Sequence, residues 1–193
     1  MTTLAAPRRR PSMGRVFLFS LLVGAGAVLA IAWVEHVPRP VAQAPFRARP
    51  LSPGIAVTAQ LEPGQMSAIA SRYRTVVDIR PDGEDAGQPS SDAMRDAATR
   101  AGLGFDYVPV PHGDIPEAAV RRLAGAMSAN QGQVLLYCRS GRRAARTWAL
   151  AEAERPGGWP ADRILAAVKE AGQDAQDLRP RIEAAIAARG AAR

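Results

Sequence analysis

The sequence predicts an α/β layered fold with a central sheet, preceded by one transmembrane helix. Three observations predict it. Short β-rich runs alternate with helical patterns from residue 54 onward, which implies a sheet with helices on both faces. One of those runs feeds straight into Cys138 and a loop of Ser, Gly and Arg. Near the N-terminus, Val16 to Val34 is an uncharged run of 19 residues. At ~1.5 Å per residue a helix of that length spans roughly 29 Å, the thickness of a bilayer's hydrocarbon core.

The elements follow in order. Residues 1–15 form a basic leader, and Arg8, Arg9, Arg10 and Arg15 before the apolar run keep it cytoplasmic by the positive-inside rule. Residues 16–34 are then a retained anchor in the inner membrane, and the domain after it is periplasmic. A cleaved signal peptide competes, but its apolar region covers only ~7–15 residues, and Pro45 after Ala42-Gln43-Ala44 hinders cleavage. Residues 35–53, with Pro38, Pro40, Pro45, Pro50 and Pro53, read as a stiff linker. The domain occupies 54–188. Ile55–Thr58 is a strand, Pro63–Arg72 a helix and Thr75–Ile79 a strand. A Gly/Pro/Asp/Ser loop leads to Ser91, which caps a helix through Arg100. Phe105–Val110 is the next strand, and Pro116 opens a helix to about Ala129. Gln133–Tyr137 is a buried strand, and a helix begins at Ala144. The Ala-rich helices near 161–171 and 178–188 read as packing cover.

The formal charge is +7. Residues 1–50 carry seven arginines against Glu35 alone, a net of +6, so residues 51–193 hold 18 basic and 17 acidic side chains. A nearly neutral domain releases few counterions on binding, which argues against a nucleic-acid partner. One cysteine rules out an intramolecular disulfide or a zinc ribbon built by this chain alone. The two histidines stand far apart, His112 reads as a solvated loop residue, and neither a metal nor a cofactor is expected.

The chemistry lies in Cys138-Arg139-Ser140-Gly141-Arg142-Arg143. A strand-to-helix turn aims successive backbone N–H groups into one concavity at a positive helix end, and such a nest binds anions. Gly141 permits the positive φ that a nest requires. A thiolate is the kind of anion so stabilised, which makes Cys138 the expected nucleophile. Arg139, Arg142 and Arg143 add three charges within five residues, too many for all to point inward. The alternative is a buried structural cysteine ending a core strand.

Several separated blocks resemble one family. Thr75-Val76-Val77-Asp78-Ile79-Arg80-Pro81-Asp82-Gly83-Glu84, then Gly87-Gln88-Pro89-Ser90-Ser91, then the Cys138 loop are similar to the phosphatase-like domain of beta-lactamase hydrolase-like proteins. The likeness covers about residues 52–187. It implies a protein tyrosine phosphatase-like fold, a four- or five-stranded sheet with the cysteine loop at its strand ends. It also implies an activity in sulfur transfer or in phosphate ester hydrolysis.

Loop length divides those activities. In the phosphatase superfamily five residues separate Cys from Arg, which would put the arginine at Ala144; Arg143 comes one position early. A six-member loop resembles that of rhodanese sulfurtransferases, and a terminal sulfur needs less room than a phosphoryl group. The first expectation is therefore a sulfurtransferase that passes sulfane sulfur from a small anionic donor to a thiol through a Cys138 persulfide. The alternative is a phosphatase acting on a phosphorylated substrate through a Cys138 phosphocysteine. Asp114, in the loop after a central strand, would then be its general acid, although an Asp before a helix is equally an N-cap. Asp78 and Asp82 are weaker acid candidates. Arg80 either makes a second anion contact or pairs with an acid. A third reading is a non-catalytic anion or redox sensor.

Overall fold

The computed structural model describes residues 45–130 and 133–191. The basic leader and the expected transmembrane segment, 16–34, lie outside the described residues. No helix among the described residues is long and apolar enough to cross a membrane.

Four parallel strands form the sheet: β2 (Ile55–Thr58), β3 (Thr75–Asp78), β4 (Gly104–Tyr107) and β5 (Val134–Tyr137). A fifth, β1 (Arg49–Ser52), pairs antiparallel with β2, giving the order β1-β2-β5-β3-β4. That strand corrects the expected linker, which was to run to residue 53. Its Pro50 sits on an edge strand, where a missing N–H breaks no ladder. Strand β4 is shorter than Phe105–Val110, but the chain stays alongside β3's end: Val108 N donates to the Asp78 carbonyl and Val110 N to that of Ile79.

Helices α1 (Met66–Ala70), preceded by a 3-10 turn at Pro63–Gln65, and α2 (Ser91–Arg100) follow β2 and β3. Both crossovers move the same way across the sheet, and right-handed connections put their helices on one face. The return from β4 to β5 through α3 (Glu117–Ala129) covers the other face, with α4 (Arg142–Glu154), α5 (Ala161–Glu170) and α6 (Arg179–Ala191). Two apolar cores result, one between sheet and α1–α2 and one between sheet and α3–α6. Strand β5 is buried along its whole length, as a central parallel strand should be. Each fully buried Leu or Val there contributes ~1.5–3 kcal/mol of transfer free energy.

Two helix starts differ from expectation by small steps with clear causes. Ser90, not Ser91, caps α2, its Oγ accepting from Ala93 N; Ser91 Oγ and N donate instead to Asp82. Helix α4 begins at Arg142 because Gly141 already supplies its N-cap turn.

The register fixes where chemistry can happen. Thr58, Tyr137 and Asp78 are cross-strand partners, so β2, β5 and β3 end flush. The chain leaves β2 and β3 for one face of the sheet and leaves β5, between them, for the other, which makes this edge a topological switch point, the usual crevice of open parallel sheets.

Candidate active site

Cys138 is the first residue past β5 at that edge, and it is buried. The next three residues turn the chain into α4. Gly141 adopts φ 88°, the left-handed conformation expected of it. Two glutamines hold the turn from outside: Gln60 N donates to the Arg139 carbonyl, and Gln173 Nε2 donates to the Ser140 carbonyl at 3.2 Å. With those carbonyls engaged, the N–H edge of the loop is left for the cavity. Among the described residues, no protein oxygen accepts from the backbone N–H of residues 139–144. That run of unengaged donors at the start of a 13-residue helix has the geometry an anion nest requires.

The nest opens on a cavity of about 350 Å³. Cys138, Arg139, Ser140, Arg142 and Arg143 line it, joined by Arg146 from the next turn of α4. Its far wall is the loop after β4, through Pro111, His112, Gly113 and Ile115.

Arg143 is held rather than free. Its Nη2 donates to Glu84 Oε2 at 2.8 Å, and its Nη1 donates to Glu84 Oε1 and to the Val110 carbonyl. These bonds use the end of the guanidinium. The Nε–H and the second Nη2–H form the other fork of the same planar group, and a carboxylate or phosphoryl oxygen pair fits such a fork bidentately. The hydrogen bond from Arg143 holds the Glu84 carboxyl down to about 2, and the same bond raises Arg143. The pair therefore stays charged across the physiological range.

The other candidates are placed as follows. Arg80 is buried and turned away from the cavity: Nε donates to Glu84, Nη1 donates to Gln60, and Nη2 stands 3.7 Å from Asp85. Of its two expected roles, pairing with an acid is the one present. Asp114 does not line the cavity; its side chain is 88% exposed and lies 3.5 Å from Arg181. Nor does it cap α3, whose N-cap is Pro116; its Oδ1 accepts only from the adjacent Ile115 N. The tight turn at Gly113, with φ 96°, precedes it. Asp82 is spent on α2. Asp78 is buried on the α2 side of the sheet, where burial pushes its carboxyl up to about 6.

Two site residues escaped the sequence reading. Glu84 lies 59 positions before Arg143, and no local spacing relates them. His112, expected to be merely solvated, is exposed but lines the cavity, with Nε2 3.5 Å from Glu84 Oε1. The carboxylate that completes the Arg80 and Arg143 pairs was visible only as part of a Pro-Asp-Gly-Glu turn.

Comparison with known proteins bears on what this arrangement does. The family model for the phosphatase-like domain of beta-lactamase hydrolase-like proteins matches residues 47–155, more than half of the chain. The beta-lactamase hydrolase-like protein of Xylella fastidiosa is 39% identical over 99 residues, which is 51% of this chain and 23% of the relative. That of Agrobacterium fabrum is 34% identical over 87 residues, 45% of this chain and 20% of the relative. The chain thus spans about a quarter or less of the curated relatives it matches. Among solved structures, a candidate phosphatase from Neisseria meningitidis superposes with a TM-score of 0.62 at 28% identity, covering 71% of this chain and 96% of that one. The core catalytic domain of a PP-IP phosphatase from S. cerevisiae, in complex with citrate, gives 0.52 at 16% identity, covering 70% and 83%, and shares the fold alone. The fold is therefore that of protein tyrosine phosphatase-like proteins, as the residues suggested. The comparisons back the phosphatase alternative and give sulfur transfer no support. The shorter loop still brings an arginine to the cavity of Cys138, because Arg143 reaches it from the first turn of α4.

Proposed function

We propose that this chain, which belongs to the family of phosphatase-like domains of beta-lactamase hydrolase-like proteins, is a phosphatase that hydrolyses phosphate esters through a Cys138 phosphocysteine. One observation carries this reading: Arg143 lines the cavity that holds Cys138, and its bonds to Glu84 and Val110 leave its Nε–H and second Nη2–H without a protein acceptor among the described residues. A fork of that kind, joined to the unengaged backbone donors of residues 139–144, suits a phosphoryl group with three oxygens better than a lone sulfur atom.

In the proposed reaction the Cys138 thiolate attacks phosphorus as the bond to the ester oxygen breaks. The leaving oxygen takes a proton from an acid on the cavity wall. Water then attacks the phosphocysteine, which releases inorganic phosphate and returns the thiolate. The developing negative charge meets the nest and Arg143, both fixed before the substrate arrives. His112 is the side chain on the wall that can carry the proton, and it takes the role the sequence had suggested for Asp114.

The test is a side-by-side assay of the full-length chain in detergent with an aryl phosphate and with thiosulfate plus cyanide. Phosphate release that disappears in Cys138→Ser is expected, with one phosphoryl group trapped on Cys138 at short times. A thiosulfate-dependent sulfur adduct on Cys138, without phosphate release, would return the reading to sulfur transfer.

A further inference from the structure

We propose that the cavity takes small phosphate esters that carry a second phosphate, with Arg139 and Arg142 binding the group that does not react. This inference rests on the phosphatase reading above and adds the substrate class.

The starting point is an excess of charge at one place. Residues 51–193 are within one charge of neutral, yet four arginines line this cavity and no carboxylate does. Two of the four are already neutralised. Arg143 is paired with Glu84, and Arg146 makes a two-point pair with Asp177. The other two are held far more loosely. Arg142 is exposed and has no hydrogen bond or ion pair among the described residues, its charge reaching Asp177 only through space. Arg139 is 65% exposed and makes one long ion pair, at 3.9 Å, with an Asp85 that Arg80 also approaches.

A single phosphoryl group is fully provided for without them. The backbone donors of residues 139–144 and the free fork of Arg143 can satisfy its oxygens, which leaves Arg139 and Arg142, exposed on the same cavity, for other negative charge. Like charges gathered with so little pairing repel one another, so holding them at one cavity favours a ligand that brings more negative charge than one phosphoryl supplies. The rest of the lining agrees. No Phe, Tyr or Trp lines the cavity, so nothing is offered for an aryl ring to stack on. A compact, multiply charged polyol suits these walls better than a phosphorylated aromatic.

The experiment measures binding to the full-length Cys138→Ser protein in neutral detergent, so that turnover does not intervene. Inositol 1-phosphate and inositol 1,4,5-trisphosphate are compared by calorimetry. The trisphosphate is expected to bind about 10–100-fold tighter, the worth of one or two charged hydrogen bonds. In the Arg139→Ala/Arg142→Ala double variant that ratio should fall towards one. A ratio within about twofold in the parent, or one that survives in the double variant, overturns the proposal. A third arm uses the same trisphosphate headgroup on dibutanoylglycerol: a further large gain assigns the headgroup to a lipid, and none assigns a free polyol phosphate. Phosphate release by the unmutated chain is scored separately. Release from both esters without selectivity sinks this inference alone, whereas selective binding without release sinks the phosphatase reading alone.

Discussion

The roles of single side chains at this site separate by what each one touches. Cys138 is the sole thiol in the chain, so Cys138→Ser should abolish turnover while leaving the fold in place. For the acid, geometry divides two neighbours in one loop. His112 lines the cavity and Asp114 faces Arg181. His112→Asn should therefore lower kcat on alkyl phosphates by about 10²–10⁴, the usual worth of a general acid, and Asp114→Asn should cost no more than about threefold on the same scale. The reverse pattern would mean that the loop swings Asp114 inward during turnover. Glu84 acts through Arg143. Glu84→Gln keeps one acceptor but points an amide at the guanidinium, so kcat/KM should fall about 10–100-fold, as for a lost charged hydrogen bond. A merely structural role would lower stability and leave kcat/KM of the folded fraction unchanged.

At the scale of elements, the turn into α4 and the end of β3 carry the next two predictions. A Cβ added at Gly141 would sit 3.3 Å from the Thr58 carbonyl oxygen and from Gln173 Nε2, at a φ of 88° that side chains avoid. Gly141→Ala should destabilise the domain by about 1–3 kcal/mol and should distort the nest, which thermal melting and turnover read together. Asp78, at the end of β3, has the opposite pH signature to Glu84. Its folded value of about 6 lies above the ordinary 3.8, so the folded chain holds that proton more tightly than the unfolded one. The stability it contributes is whole below about 3.8 and is lost as pH rises through about 6. Glu84, lowered from 4.5 to about 2, contributes stability that is whole above 4.5 and lost as pH falls through about 2. Urea unfolding at pH 4 and pH 7 should show the stability of the unmodified protein dropping relative to Asp78→Asn by on the order of 2–3 kcal/mol. A difference that does not change with pH would mean Asp78 ionises normally. These elements also show what the sequence could and could not reveal. The Val-Leu-Leu-Tyr strand running into Cys138, and Gly141 after it, were legible because strand period, turn chemistry and helix start are local properties. Strand β1 was not, because Pro50 and Pro53 read as linker and only pairing with β2 makes an edge strand of the chain there. The Glu84–Arg143 pair was not legible either, since it depends on how far apart β3 and β5 lie in the sheet.

Across the whole molecule, positive charge is concentrated in two places. Two loosely held cations, Arg139 and Arg142, line one cavity, where they would act on a ligand over about a Debye length, ~8–10 Å at ordinary salt. The larger excess, +6 over residues 1–50, belongs to the segments around the 19-residue apolar run. Four of its seven arginines lie before the run; in a chain whose run spans a membrane, that arrangement would keep them on the cytoplasmic side. Burying an uncharged segment of that length in hydrocarbon is strongly favourable, and no charge within 16–34 opposes it. The last prediction follows from this balance. In fractionated bacterial cells, a chain tagged at its C-terminus should remain in the membrane fraction at full length and resist extraction by alkaline carbonate. Protease added to spheroplasts should reach the tag, since arginines held in the cytoplasm would put the domain on the far side. Val23→Asp combined with Leu29→Asp should release the chain, since each charge at a helix centre costs about 2.5–3.5 kcal/mol on insertion scales. A soluble, shortened product from the unmodified chain would show instead that the apolar run is a cleaved leader, and would leave the site chemistry as argued.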